Sequence, residues 1–225
     1  MSAALADSSV RRPWLAVLLS LLSPGLGHLY AGELLRALGW AAAAVFLVPV
    51  IAWVWALAPF STVVFLALCL AVLLGVYVGA AVWAYREAKA RPAGAPRRPY
   101  QTLLAYVLFY LVAFFGGQLV TGLLRETVLD AVRVPSNRLA PVLLEGDWVL
   151  LRKVGDGAQP DPGEWAAFYL ETPTLGPQPL VVGRVEKTPQ GGLLPEGQYL
   201  GKVESVYFSV GPEGIRWSRI GLRPP

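Results

Sequence analysis

Across residues 14–85 the chain carries only two charged side chains, Glu33 and Arg36. A helix needs about 20 mainly apolar residues to cross the hydrocarbon core of a bilayer. Leu34–Leu57 and residues 60–85 each meet that length and are separated by Ala58-Pro59. Residues 102–124 form a further stretch without a charge. The whole chain of 225 residues is 55% hydrophobic and 15% charged, with a mean hydropathy of +0.51. Soluble domains carry about 25% charged residues. This composition excludes intrinsic disorder and argues against an ordinary cytosolic enzyme. Residues 14–30 are a shorter apolar segment, interrupted by Ser23-Pro24-Gly25. Proline removes a helix donor and glycine loosens the chain, so this segment reads as a short broken span or a re-entrant element. It is not a cleavable leader, because further apolar spans follow directly and no Ala-x-Ala site lies behind a short core.

The charges are placed where membrane topology puts them. Residues 86–101 form a Pro/Gly-broken linker with Arg86, Lys89, Arg91, Arg97 and Arg98 against Glu87. The positive-inside rule makes this linker cytoplasmic. The span at 102–124 then runs outward and puts residues 125–225 on the extracytoplasmic side. Arg11 and Arg12 argue for a cytoplasmic N-terminus as well. Together these assignments need an even number of crossings within residues 1–85, where three apolar segments stand. Either residues 14–30 re-enter, or the N-terminus lies outside against its charges; the sequence is consistent with both. The net charge of +4 and pI of 9.3 come from basic residues beside apolar segments. That pattern predicts a lipid bilayer as partner and no nucleic acid.

Beyond Arg133 the periodicity changes. Residues 147–154, 164–170, 180–185, 203–210 and 215–220 read as strands, with Gly-Pro-Glu-Gly at 211–214 as a hairpin turn. The fold class expected is a helical membrane module joined to a small all-β domain. Cys69 and His28 are each the sole residue of their type, which excludes a disulfide framework and a cysteine or histidine metal cluster. No metal and no cofactor are expected. His28 has Glu33 as its only titratable neighbour in sequence, and reads as a turn hydrogen bond or as a proton relay. Trp40, Trp53, Trp55 and Trp83 read as interface anchors and helix packing, and Cys69 as an apolar filler.

Two resemblances attach to particular residues. Residues 22–32 (LSPGLGHLYAG) resemble a small bacterial two-helix membrane module with a P-G-L-G-x-x-Y-x-G signature. Residues 135–147 (PSNRLAPVLLEGD) resemble the nucleophile motif of type I signal peptidases, P-S-x-S-M-x-P-T-L-x-x-G-D, which follows a transmembrane helix. Pro135, Ser136, Pro141, Leu143, Gly146 and Asp147 match it without a gap. Residues 162–168 resemble the family's next strand, and Val182-Gly183-Arg184-Val185 the strand that normally reads I-K-R-V. Residues 201–221 resemble its closing hairpin. The family consists of membrane-bound serine endopeptidases that remove leader peptides from exported proteins.

The departures decide what the resemblance implies. The family's nucleophilic serine falls at Arg138, and its lysine base at Gly183. Ser136 falls at the hydroxyl of the oxyanion hole. The family's second β subdomain is missing, since the chain passes from Val185 to Leu200 in about fifteen residues. Arginine cannot lose its proton to act as a base and offers no nucleophile. The resemblance therefore implies a degenerate member without the Ser-Lys dyad, binding a leader peptide, a lipid surface or another membrane protein. An active peptidase would need Ser136 as nucleophile with Lys187, Lys153 or Lys202 as base. Lys187 keeps the strand face of Gly183 but lies about 13 Å further along. The plain readings are a turn serine for Ser136, a solvated turn lysine for Lys187 and a turn cap for Asp147 beside Glu145. A third alternative is a non-enzymatic protein acting through its N-terminal spans.

Overall fold

The computed structural model describes residues 12–92, 95–155, 158–169, 180–187, 193–194 and 198–225, with backbone only at 180, 187, 193 and 194. Arg11, the side chain of Lys187 and Pro189, which the signal-peptidase resemblance places shortly after the strand at 182–185, lie outside the described residues. The chain divides into two compact units: residues 1–51 with 67–121, and residues 52–66 with 122–225.

The first unit is helical. Its chain begins with α1 (Pro13–Leu22) and α2 (Leu26–Ala31), and includes most of α3 (Leu34–Leu57), α4 (Thr62–Ala90) and α5 (Leu103–Thr127). Among the described residues three helices, α3, α4 and α5, are long and apolar enough to cross a membrane. At 1.5 Å per residue α1 extends about 15 Å, half of a hydrocarbon core. The break after α1 follows from Pro24 and from Gly25, whose φ of 103° suits a residue without a Cβ. The chain then reverses. The N–H of Arg12 donates to the Tyr30 hydroxyl at 2.9 Å, tying the start of α1 to the end of α2. Gln101 Nε2 donates to the carbonyls of Leu29 and Tyr30 at 3.2 and 2.7 Å. The exit of this helical hairpin is thus fastened to the linker that precedes α5. Thr102 caps α5 by accepting the Ala105 N–H at 3.2 Å.

The second unit is an antiparallel sheet joined by the tip of the α3–α4 hairpin. Its strands are β1 (Leu129–Arg133), β2 (Asp147–Lys153), β3 (Trp165–Tyr169), β4 (Leu180–Arg184), β5 (Glu186–Lys187), β6 (Leu193–Leu194), β7 (Gln198–Gly211) and β8 (Gly214–Ile215). The main sheet runs β1-β2-β7-β3-β4, with β8 on β7, while β5 and β6 pair separately. Alternation builds the core: Val132, Val149, Leu151, Ala167, Val182, Val203 and Val206 share one cluster with Val134 and Leu143 from the β1–β2 loop. The tip of the α3–α4 hairpin belongs here too. Trp55 is fully buried, stacks on Phe65 and donates Nε1–H to the Phe60 carbonyl at 3.1 Å. The hydroxyls of Thr62 and Ser205, both buried, meet at 2.6 Å.

One expected strand departs from the sequence reading. Residues 215–220 pair with β7 only at Val210↔Ile215, next to the Gly211↔Gly214 pair of the turn, then enter a 3₁₀ turn at Trp217–Arg219. The turn carries the chain back to the bulge in β7, where the N–H groups of Gly221 and Val206 bond to Val206 and Leu222 carbonyls. It also swings Arg219 onto Asp147.

Candidate functional site

The loop from Val134 to Asp147 holds most of the motif residues. Backbone bonds close it at its neck, Val134 N–H to Asp147 O at 2.8 Å and Gly146 N–H to Val134 O at 3.1 Å. Gly146 adopts φ of 85°, and a Cβ there would overlap the Val210 carbonyl oxygen. Leu143, with no exposed surface, plugs the loop into the core. Asn137 Oδ1 accepts the Glu145 N–H at 2.8 Å across the loop.

Asp147 is the hub. It is fully buried, and its carboxylate takes Arg219 Nε at 3.1 Å to each oxygen and Arg219 Nη2 at 2.6 Å. It also accepts Ser209 Oγ–H at 2.6 Å and the Leu144 N–H at 2.9 Å. Arg219 Nη2 donates further to the Val142 carbonyl at 2.7 Å, so one guanidinium clamps both the carboxylate and the loop. Burial pushes this carboxyl up, but the bonds from Arg219, Leu144 and Ser209 outweigh it and hold Asp147 below the usual carboxylate range. Arg216 adds a contact of 3.8 Å to Asp147 and donates to the Glu145 carbonyl at 3.1 Å.

Pro135, Arg138 and Pro141 are exposed on this loop. Ser136 is half-buried and precedes a 3₁₀ turn at Asn137–Leu139, and its hydroxyl makes no capping bond to that turn. Beside the loop lies a polar cavity of about 270 Å³ lined by Arg133, Asn137, Glu145 and Arg216. The remaining motif positions lie elsewhere. Gly183 pairs with Ala166, which pairs with Lys202, which pairs with Arg152. The loop opens at the other end of β2, in the row of Asp147 and Ser209. Five positions along a strand is roughly 16 Å, so the Gly183 row and the Asp147 row are well apart. Arg184 is exposed and donates to the Gly163 carbonyl at 3.2 Å.

Two of the candidate lysines face carboxylates. Lys153 Nζ lies 3.6 Å from Asp130 and Lys202 Nζ 3.7 Å from Glu164. Glu164 also accepts the Tyr199 hydroxyl at 2.7 Å, and burial together with that carboxylate pushes Tyr199 well above the ordinary phenol range. Lys187 is on β5 by backbone alone. Among the described residues no group of three or more His, Cys, Asp or Glu side chains could hold a metal ion. Arg219 and Ser209, the partners that define the hub, fall in the stretch that resembles the closing hairpin, but nothing in the sequence ties them to Asp147; they lie 72 and 62 residues from it, and no local pattern marks such a pairing.

No protein-family model, curated protein or solved structure matches this chain.

Proposed function

We propose that the chain is a multi-pass protein of the bacterial cytoplasmic membrane whose signal-peptidase-like β domain binds extended apolar peptides, such as leader segments of exported proteins, without cleaving them. The observation that carries this reading is the Asp147 knot. The buried carboxylate of the motif loop is spent on holding the loop rigid: Ser209 and Arg219 both bond Asp147, and Arg219 bonds the Val142 carbonyl as well. The two described candidate lysines face Asp130 and Glu164 rather than a hydroxyl. A serine hydroxyl without a base is a poor nucleophile.

Strand order supports the binding mode. It leaves β1 and β4 at the two edges of the main sheet among the described residues, and an edge strand offers unpaired N–H and C=O groups to an extended peptide. Connectivity supports a topology for this reading. The α1–α2 hairpin returns toward its start, tied by Arg12 to Tyr30, so among the described residues α3 and α4 are the crossings this reading places before the basic linker, with the N-terminus on the linker's cytoplasmic side. The β domain, reached through α5, then lies outside, in the same unit as residues 52–66 of the α3–α4 hairpin.

A fluorescent leader peptide titrated into the full-length chain in lipid nanodiscs tests this. The expected result is saturable binding that weakens at least about tenfold when alternate peptide nitrogens are methylated, because methylation blocks strand pairing. Equal binding of the methylated peptide would contradict edge-strand addition.

A further inference from the structure

The most demanding polar group of the helical unit is His28. It has no exposed surface, and neither ring nitrogen finds a hydrogen-bond partner among the described residues. Glu87 of α4, 59 positions away in sequence, presents Oε2 at 3.9 Å from His28 Nε2, and that oxygen is also buried without a hydrogen bond. A buried donor or acceptor left unpaired costs about 1–3 kcal/mol, so two facing orphans call for an explanation. The surroundings fix what the pair can bind. From α3, Arg36 bonds the other Glu87 oxygen, and Trp40 stacks on the imidazole with ring centres 5.9 Å apart. Just past the end of α4, Arg91 lies with its guanidinium against Gly32, where a Cβ would overlap it. From α1, Ser20 Oγ is buried at Gly27, next to His28. Glu33, beside the hairpin exit, and Arg91 complete the charges felt by Glu87.

One imidazole facing one carboxylate oxygen makes no cage for a metal. A proton fits. On a neutral imidazole one nitrogen lacks a hydrogen; adding it gives two N–H donors, one of them aimed at Glu87 Oε2. We propose that His28 and Glu87 form a proton-binding site of the membrane module, in which uptake of one proton by the imidazole turns a 3.9 Å non-bonded approach into a charge-assisted N–H···O⁻ hydrogen bond and draws the α1–α2 hairpin onto α4. The proton comes from solvent and no bond other than N–H is made. The inference is independent of what the β domain does.

The chain contains a single histidine, so imidazole ¹⁵N resonances of the full-length protein in lipid nanodiscs report His28 alone. On acidification the imidazole is expected to charge, and amide exchange across α1 and α2 to slow once corrected for its intrinsic pH dependence. Glu87→Gln removes the carboxylate, disfavours the imidazolium, and should lower proton affinity at least about tenfold, a midpoint shift of one pH unit downward. Should that variant fail to fold, Glu87→Asp, which withdraws the carboxylate by one methylene, should shift the midpoint the same way by a smaller step. An imidazole that stays neutral wherever the protein is folded, or a midpoint that neither variant moves, would overturn the proposal.

Discussion

Replacing Arg219 with alanine is expected to destabilise the β-sheet unit by about 3–5 kcal/mol, the range seen when one member of a buried ion pair is removed. Asp147 has no exposed surface and would keep Ser209 and the Leu144 N–H as its hydrogen-bond partners, with Arg216 no nearer than 3.8 Å. The Val142 carbonyl would lose its donor in the same step. Urea unfolding of the detergent-solubilised chain, followed by protease susceptibility within residues 122–225, measures the change. Adding Asp147→Asn to Arg219→Ala removes the stranded charge and should recover part of the loss. A single-variant effect under about 1 kcal/mol, the scale of an exposed pair, would show that the knot is not the hub it is argued to be. The same carboxylate gives a pH signature. Its folded-state pKa lies below its unfolded one, so its contribution is complete above the unfolded value and is lost as pH falls through the folded value. For an aspartate that places the loss below about pH 4. Without Arg219 the onset should move to higher pH.

Leu143→Ala should cost about 2–5 kcal/mol, because it opens a cavity where a fully buried leucine joins the core. Its second effect is local. Leu143 is the apolar plug of the loop that carries Ser136 and Arg138, so amide exchange at 136–146 should rise more than in β2 or β7. A uniform rise across the sheet would mean that the loop is held by its neck and the Asp147 bonds alone.

The apolar spans were legible because twenty residues without charge leave a helix few alternatives. Leu34–Leu57 has the same bounds in sequence and structure, whereas α4 begins at Thr62 and extends to Ala90, past Arg86 and Glu87, since charged residues prolong a helix as readily as apolar ones. The Ser-Pro-Gly break announced a short first segment, but that α1 and α2 form a hairpin tied end to end by Arg12 and Tyr30 required coordinates. The strands β2, β3, β4 and the second half of β7 showed through alternation, whereas β1, β5 and β6 are too short or too mixed to show. Residues 215–220 alternate as a strand would, yet leave the sheet after Ile215 because a buried Asp147 captures Arg219 and a 3₁₀ turn brings it there. Long-range partners left no local trace. Glu33 is the acidic neighbour of His28 in sequence, yet Glu87 faces it in space. Residues 52–66 read as the end of one span and the start of another, and they fold with the sheet because Trp55, Thr62 and Ser205 are buried there.

The most direct test of the central claim is incubation of the purified full-length chain, in detergent or nanodiscs, with a preprotein and its isolated leader peptide, following both binding and cleavage. The account predicts peptide binding with no cleavage above buffer, unchanged by Ser136→Ala. Cleavage after small residues that Ser136→Ala abolishes would contradict it and make this β domain a working peptidase.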